Sequence, residues 1–368
     1  MGSVKDLQVL ETPKEYRSGV GTFKFSNRYS VFDWGEMPDL IENKGRALAT
    51  MAAFNFELIN EEEDLWTHYV GLLRGEDDIV KFSDLENGSN GLDTMVVDLG
   101  VKYMPDPIKE GDDVVGYDYS FYSRRRGAIN NYLIPLEVIF RRALPEGSSV
   151  FRKIEKAKKN ENLDEREQEL QKIYDSLGVK SEPKPGDSLP RTVVGYTTKL
   201  EPGDRNLTNE EAYKISGLTK KDFRKIEETT LAVEEIITKQ AEKTGFTHYD
   251  GKIEFVWNNG MKVPFVVDVV GTLDENRFGF NGEQVSKQFL RKIYQTTQPD
   301  FEEACIEWKK TGPGWQERCP VKPKPLDPKV IKLTSQMYMA ATNQYVGRNI
   351  FADVPPLEEV MDKLKAFR

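Results

Sequence analysis

The sequence contains little cysteine, no long apolar segment and no excess of basic charge. Cys305 and Cys319 are its only two cysteines, which are too few for a disulfide framework or a zinc knuckle. No apolar run approaches the roughly 20 residues that a membrane-spanning helix needs. The net charge of −9 argues against a basic surface that binds nucleic acid. We therefore expect neither a membrane nor a nucleic acid as a partner.

The remaining composition is typical of a globular cytoplasmic protein. Of the 368 residues, 38% are hydrophobic and 31% charged, and the opening MGSVKDLQVLETPKEY lacks the basic and then apolar order of a signal peptide. This length exceeds what one hydrophobic core usually spans. We expect a β-rich N-terminal lobe at 1–134 and a C-terminal α/β lobe at 135–368. The oligomeric state stays open, a homo-oligomer included, because no self-complementary face is evident.

Hydrophobic periodicity predicts an α+β protein with a cleft between its two lobes. Residues 19–32 are rich in strand formers and glycine, whereas 43–58 repeat apolar residues at helical spacing. The run YLIPLEVIF at 132–140 predicts a buried strand with a bend at Pro135. A proline-rich connector is predicted at 180–191. Four later segments predict helices, namely 151–177, 208–244, 287–294 and 328–346.

The segment 247–278 predicts a hairpin that carries acids among apolar strand residues. Asp250, Lys252 and Glu254 alternate along the first strand and share one face, and the second strand leads to Asp268. Facing carboxylates repel unless a cation lies between them, and Mg²⁺ prefers oxygen ligands and bridges phosphates. The alternative is a solvated strand face paired with lysines. The apolar run before Asp268 favours burial, and buried acids need paired or metal-bound partners.

Six collinear motifs resemble those of the SAICAR synthetase (phosphoribosylaminoimidazole-succinocarboxamide synthase) family. The hairpin carries the family's Asp-x-Lys-x-Glu-Phe as DGKIEF at 250–255, and TLDENRF at 272–278 is similar to its Thr-Pro-Asp-x-x-Arg-Phe. The other motifs are SNRYSVFDWGEMPDLIENKGRAL at 26–48, IPLEVIFR at 134–141, GDSLPRTVVGYTTKLEPGDRNLT at 186–208 and SKQFLR at 286–291. Together they cover most of the chain.

The resemblance implies an ATP-dependent carbon–nitrogen ligase of purine biosynthesis with a bilobal, ATP-grasp-like fold and a nucleotide cleft between the lobes. The family joins L-aspartate to carboxyaminoimidazole ribotide (CAIR) and forms SAICAR, ADP and phosphate. A carboxylate reacts with an amine at neutral pH only when its oxygen becomes a good leaving group, and phosphorylation by ATP achieves this by forming an acyl phosphate. Such a site needs cations and must exclude water. ATP and Mg²⁺ are the implied cofactors, and small-molecule substrates are the implied partners. A paralogous ligase with another amine or carboxylate, and a catalytically silent nucleotide-binding relative, remain alternatives.

The resemblance also assigns roles to individual residues. Glu254 and Asp268 would hold Mg²⁺ under the ATP phosphates. The implied catalytic residues are Lys199, Glu201, Asp204 and Lys252, and the implied substrate-binding residues are Asp33, Lys44, Arg141, Ser148, Arg277, Lys287 and Arg291. Asn131, Tyr132 and Leu133 match the inter-lobe segment beside adenine. The region 11–25 lacks the family's opening Gly-Lys-x-Arg-Asp-x-Tyr strand, and Gly19, Gly21 and Lys24 would form a short phosphate loop in its place.

Several of these residues also have an ordinary structural interpretation. Arg141 would then be a strand-end arginine and Ser148 a helix N-cap, while Lys287 and Arg291 would be solvated on one helix face. In addition, Val269 replaces the glutamate that typically follows the metal-binding aspartate in the family. The motifs therefore indicate an ATP-dependent ligase of this fold more directly than they indicate L-aspartate as the amine.

Overall fold

The computed structural model describes residues 5–111, 113–312 and 314–367, which form an α+β fold with three β-sheets. Within these ranges, every helix is too short or too polar to cross a membrane. The strands in chain order are β1 (Lys5–Glu11), β2 (Gly19–Phe25), β3 (Trp66–Thr67), β4 (Tyr69–Arg74), β5 (Asp78–Val80), β6 (Thr94–Leu99), β7 (Asp106–Glu110), β8 (Asp113–Asp118), β9 (Tyr132–Leu133), β10 (Leu136–Ala143), β11 (Ser188–Thr198), β12 (Asn206–Leu207), β13 (Phe246–Asn258), β14 (Val263–Val267), β15 (Asn276–Phe280) and β16 (Glu283–Gln284).

The helices surround these sheets, and two short 3₁₀ turns lie at Phe82–Asp84 and Lys309–Thr311. The α-helices in chain order are α1 (Lys44–Asn60), α2 (Ser120–Arg124), α3 (Ser149–Lys158), α4 (Leu163–Leu177), α5 (Asn209–Ser216), α6 (Lys220–Lys243), α7 (Lys287–Thr297), α8 (Pro299–Trp308), α9 (Trp315–Arg318), α10 (Pro328–Val346) and α11 (Leu357–Lys365).

The N-terminal sheet has the strand order β1-β2-β6-β4-β5 and is antiparallel throughout. Strand β1 lies at its edge, and because side chains alternate along a strand, Lys5, Leu7 and Val9 share one face. Gly19 and Gly21 let β2 approach its neighbours closely, since a Cβ on Gly19 would lie 2.3 Å from the carbonyl oxygen of Glu11.

The second sheet is organised around the 13-residue strand β13 and follows the order β12-β11-β10-β13-β14-β3. Strand β15 pairs with the first half of β13 and β14 with its second half. Both strands lie on the edge of β13 opposite to β10. The chain between β14 and β15 therefore leaves the sheet at the middle of β13, where Asp250, Lys252 and Glu254 are located.

One hydrophobic core extends through both large sheets and includes the buried faces of α1, α6 and α10. A separate small core lies under α3 and α4, formed by Leu144, Val150, Ile154, Leu177 and Leu189. The division at residue 134 stays a prediction. Strands β3 and β9 precede it but pair with β14 and β13 of the second sheet.

The predicted helices at 43–58 and 328–346 are confirmed by α1 and α10, and Pro135 lies at the predicted bend between β9 and β10. The prediction of one helix at 151–177 is wrong, because the Asn162 side chain accepts N–H groups of the following turn and starts a second helix. The predicted helix at 208–244 is likewise two helices.

The segment 208–244 forms two helices because α5 ends and α6 begins within it. Gly217 ends α5 at a φ of 75°, and Thr219 caps the start of α6. Two further predictions extended too far. The strand predicted within 19–32 ends at Phe25, and the connector predicted at 180–191 ends where β11 begins at Ser188.

Candidate functional site

Two cavities adjoin at the middle of β13. The larger one has a volume of about 890 Å³ and the smaller one of about 430 Å³. Asp204 lines both, so the two cavities meet at the loop that carries it. In the described ranges, it is the one residue common to both walls. The structure thus places most of the predicted site residues around two adjacent spaces.

The larger cavity is apolar at one end and charged at the other. Its apolar wall comes from β1, β9, β13 and neighbouring loops, with Leu7, Val9, Met104, Leu133 and Val256 among its residues. Its charged end contains Lys5, Lys199, Glu254 and Asp268. This division suits a ligand with a flat apolar part and an anionic part.

The charged end holds one buried and one partly buried carboxylate beside lysines. Glu254 lies opposite Val267 in the β13–β14 register, and Asp268 follows β14 directly, at a φ of 69°. Burial, and then the Asp268 carboxylate, raise the pKa of Glu254 to about 7. Burial opposes ionisation of Asp268 as well, but the ion pair with Lys5 holds its pKa well below the usual range. The lysine pairing of the alternative interpretation is therefore present, but the face is not solvated, because Glu254 is buried and the Asp268 side chain is only 16% exposed.

Two lysines connect this carboxylate pair to the smaller cavity. The Lys199 Nζ lies 2.5 Å from Glu254 and 3.2 Å from Glu137. The Lys252 Nζ lies 2.9 Å from Glu137, 3.2 Å from Glu275 and 3.4 Å from Glu254. Burial opposes the charge on Lys252, yet these carboxylates raise its pKa well above the usual value. Lys252 is therefore a permanent cation at the boundary and no proton acceptor.

The smaller cavity has an excess of cations without ion pairs. In the described part of the chain, four of its basic residues have no carboxylate within 4 Å, whereas Arg277 and Lys252 are paired. The Nε of Arg141 is buried without any hydrogen-bond partner, and burial lowers the pKa of Lys287. Because unpaired buried charge is costly, this wall is suited to an anionic ligand. The four residues are Arg141, Arg152, Lys287 and Arg291.

Other predicted substrate residues lie near the smaller cavity but already have partners. Arg277 forms a two-pronged ion pair with Asp250. Lys44 is fully buried, with its Nζ 2.6 Å from Asp274, so it acts on the cavity only through that carboxylate. The hydroxyl of Ser148 accepts the Val150 N–H as the N-cap of α3, which agrees with the structural interpretation.

Two further predicted residues contact groups outside the cavity walls. The largely exposed Asp33 pairs with Lys309 at 2.7 Å. Glu201, which lines the larger cavity, accepts a hydrogen bond from the Tyr119 hydroxyl and pairs with Arg205 at 3.0 Å. Glu201 therefore fixes the central loop between the cavities, whereas Asp33 lies on a surface beside them.

The predicted nucleotide residues are only partly brought together. Leu133 lines the larger cavity. Asn131 and Tyr132 are buried and donate to backbone carbonyl groups, Asn131 to Lys14 and Tyr132 to Ser216. They therefore hold the segment without lining the cavity.

The predicted phosphate loop at Gly19, Gly21 and Lys24 is wrong, because all three residues lie in β2. Lys24 points away from the larger cavity and pairs with Asp93. In the N-terminal sheet, the lysine that pairs with Asp268 is Lys5 on β1, which the motifs did not indicate. A signal was present, since Lys5, Leu7 and Val9 alternate. In addition, Gly2 and Asp6 have the spacing of the Gly and Asp in the family's opening motif, with Lys5 at its Arg position.

The chain has two histidines, and both are buried, with 3% of each exposed. Burial lowers the pKa of His68 to about 4 and that of His248 to about 3. His248 lies between the rings of Phe140 and Phe278, with Arg142 as the charged group that adds to its shift. Both imidazoles are therefore neutral near pH 7.

The low pKa of His248 predicts that the folded protein loses stability in acid. Between pH 6.5 and about 3, the unfolded chain protonates His248 and the folded chain does not. The free energy of unfolding therefore decreases by about 1.4 kcal/mol for each unit by which the pH is lowered. At pH 5 the loss is about 2 kcal/mol. Urea unfolding should give a lower free energy of unfolding at pH 5 than at pH 7 in the wild type. In His248→Gln this decrease should be smaller by about 2 kcal/mol. An equal drop in both proteins would contradict the assignment.

Together, the α+β fold and the two charged cavities suit an enzyme with anionic ligands. Residues 2–307 match the family model described as SAICAR synthetase. The chain therefore belongs to the SAICAR synthetase family, which consists of ATP-dependent carbon–nitrogen ligases of purine biosynthesis.

Individual relatives agree with this family. A putative phosphoribosylaminoimidazole-succinocarboxamide synthase of Archaeoglobus fulgidus is 41% identical over 366 residues, which is 99% of each chain. The synthase of Thermoplasma acidophilum is 29% identical over 329 residues, or 88% of this chain and 92% of that one.

Solved structures share the fold at lower identity. A SAICAR synthase from Saccharomyces cerevisiae complexed with SAICAR is 20% identical, with a TM-score of 0.58 over 94% of this chain and 93% of that one. A SAICAR synthetase in complex with ADP is 17% identical, with a TM-score of 0.51 over 88% of this chain and 99% of that one.

Proposed function

We propose that the two cavities divide one reaction, the ATP-dependent joining of L-aspartate to CAIR. ATP would occupy the larger cavity and the ribotide the smaller one. The observation that carries this division is the contrast between the walls, with buried carboxylates in the larger cavity and unpaired cations in the smaller one. Their junction at Asp204 allows the γ-phosphate and the carboxylate that it activates to meet.

The larger cavity fits a nucleotide in size and polarity. Leu133 and Val256 belong to the apolar wall, which suits a purine base, and the carboxylate pair lies at the far end, where the phosphates would extend. Lys5 and Lys199 accompany the carboxylates. Lysines in this position suit the polyphosphate charge, because each supplies a compact cation on a flexible stem.

Glu254 and Asp268 fit a magnesium ion as two oxygen ligands. Proteins often bind Mg²⁺ through one or two carboxylates plus substrate phosphates and water. Within the described ranges, no group of three or more His, Cys, Asp or Glu residues is placed to hold a metal ion, so phosphate oxygens would have to complete the shell. When bound, the ion would neutralise polyphosphate charge and favour attack at the γ-phosphorus.

The smaller cavity fits the ribotide through its unpaired cations. The guanidinium of Arg141 can donate two parallel hydrogen bonds to a phosphate, and its buried Nε lacks a partner within the described chain. Arg152 and the Ser149 hydroxyl lie in the same wall at the start of α3, with Lys287 and Arg291 at the start of α7. This arrangement suits a ligand with separate anionic groups.

The chemistry then takes place at the boundary between the cavities. A carboxylate oxygen of the ribotide attacks the γ-phosphorus, forms an acyl phosphate and displaces ADP. The amine of L-aspartate attacks the acyl carbon, forms the C–N bond and expels phosphate. Lys252, held cationic by its carboxylate neighbours, stabilises the negative charge in both steps.

Asp204 is placed to accept the proton that the amine loses. It lies at the junction of the cavities, and within the described residues it forms no ion pair. Partial burial and the nearby Glu137 carboxylate raise its pKa, which favours a proton acceptor over a permanent anion.

The two buried free cysteines agree with action in a reducing cytoplasm.

A coupled ADP assay tests the proposed function. We expect ADP release only when Mg-ATP, CAIR and L-aspartate are all present. Release with another amine but not with L-aspartate would identify a paralogous ligase. Mg-ATP binding without turnover under any combination would identify a silent nucleotide-binding relative.

A further inference from the structure

The segment from Asp268 to Arg277, here called the bridging loop, contributes to both cavities. Its first residue lies at the charged end of the larger cavity. Its last residues, from Leu273 to Arg277, line the smaller cavity. Because β14 and β15 lie on one edge of β13, the loop crosses from one cavity to the other. Its conformation therefore sets groups that would face two different ligands.

The first end of the loop is held by His68. Its Nε2 lies 3.2 Å from the carbonyl oxygen of Asp268. A carbonyl oxygen only accepts hydrogen bonds, so Nε2 carries the proton and donates it. Asp268 has a φ of 69°, a region that residues other than glycine rarely occupy. The hydrogen bond from His68 therefore stabilises a backbone conformation that is unfavourable for an aspartate.

The last end of the loop is held by His248 through Asn276. The Asn276 Oδ1 accepts the Gly271 N–H at 3.1 Å, which directs its Nδ2 toward His248 Nε2 at 2.9 Å. Nε2 is therefore the acceptor, and Nδ1–H donates to the Thr238 hydroxyl at 2.7 Å. This hydroxyl donates to Glu234 at 2.8 Å. The imidazole thus fixes the direction of the amide.

The middle of the loop has an anchor of its own. Asn55 Nδ2 donates to the carbonyl oxygen of Gly271 at 2.9 Å, and the Tyr345 hydroxyl donates to Asn55 Oδ1 at 2.9 Å. A Cβ on Gly271 would lie 2.3 Å from Asn55, so the contact is close. Because this anchor separates the two ends, a change at one end should leave the other in place.

We propose that the chain's two histidines are positioning residues for two different ligands. His68 sets the Asp268 end of the bridging loop for the nucleotide, and His248 sets the Asn276 end for the ribotide. His248 lines neither cavity, whereas His68 lines the larger cavity and holds the Asp268 carbonyl oxygen from there. The ligand names rest on the proposed function, whereas the separation into two ends rests on the hydrogen bonds alone.

Paired substitutions of each histidine test this separation. Phe keeps the packing against neighbouring rings but removes the hydrogen bond to the loop, whereas Gln keeps a donor or acceptor near Nε2. We expect His68→Phe to raise the KM for Mg-ATP about tenfold and leave the KM for CAIR within about twofold. His248→Phe should do the reverse. Each Gln variant should lie within about threefold of the wild type.

Thr334→Val is the matched control, because it removes a buried hydrogen bond within α10 that does not involve the loop. We expect it to change the melting temperature but neither KM. His68→Leu and His248→Leu take the place of the Phe variants if those do not fold. Equal shifts of both KM values in both histidine variants, or no shift in either, would overturn the proposal.

Calorimetry separates a failure of this inference from a failure of the proposed function. The dissociation constants of Mg-ADP and of CAIR are measured for the same variants without L-aspartate. A wild type that binds both ligands but does not turn over would contradict the proposed reaction alone. The inference would still be tested by whether the two histidines affect separate ligands.

Discussion

Asp268→Asn should lower kcat on the order of 10³-fold, which is about 4 kcal/mol of transition-state stabilisation. Asparagine keeps the size of the side chain and tolerates the left-handed φ at this position, so the fold should be retained. What it removes is the negative charge that pairs with Lys5 and is proposed to bind magnesium. The measurement is the rate of ADP formation at saturating substrates, with magnesium varied.

Glu254→Gln should give a loss of the same order, since Glu254 is the second proposed ligand. Asp93→Asn is the control, because Asp93 pairs with Lys24, and neither residue lines the larger cavity. We expect it to stay within about threefold of the wild type. If Asp268→Asn kept most of its activity and its magnesium dependence, the assignment of the carboxylate pair would be wrong.

Arg141→Met should lower kcat/KM for CAIR on the order of 10²-fold, or about 3 kcal/mol. Methionine fills similar space along β10 but cannot donate hydrogen bonds to a phosphate. The protein itself should be no less stable, because Arg141 is buried without an ion pair in the described chain and its charge is a cost of folding. Arg141→Lys should recover little, since lysine lacks the fork of donors.

Arg142→Met provides the matched control for this result. Arg142 is the next residue on β10 and points to the opposite face, where it is half exposed and lies 3.7 Å from Glu234. Its replacement should leave kcat/KM for CAIR unchanged within about twofold. Equal losses in both variants would indicate a general effect on β10 in place of an anion site. Thermal melting of both proteins distinguishes these two results.

Local patterns in the sequence were sufficient for the parts of the fold that depend on local structure. The alternation in 250–255 predicted a strand, and the apolar run before Asp268 favoured burial of that residue over a solvated face. The pattern failed where one polar side chain decides a helix boundary. Asn162 and Thr219 each start a helix that periodicity alone had merged with its predecessor.

The site was less predictable because its contacts join distant parts of the chain. Lys5 meets Asp268 across 263 residues, and a strand of seven residues gives little sign of what it will cover. The histidines show the same difficulty, since His68 and His248 lie in unrelated segments and meet one loop only in the folded protein. A pattern of spacing cannot contain such information.

The separate small core under α3 and α4 has a consequence for how substrate and folding are linked. This unit buries few apolar side chains, so it should open locally at a lower free energy than the main core. Its first turn carries Ser149 and Arg152 into the smaller cavity. A ligand bound there stabilises the closed unit by mass action. If the ribotide binds in the smaller cavity as proposed, its occupancy and the local folding of α3 and α4 would be one coupled equilibrium.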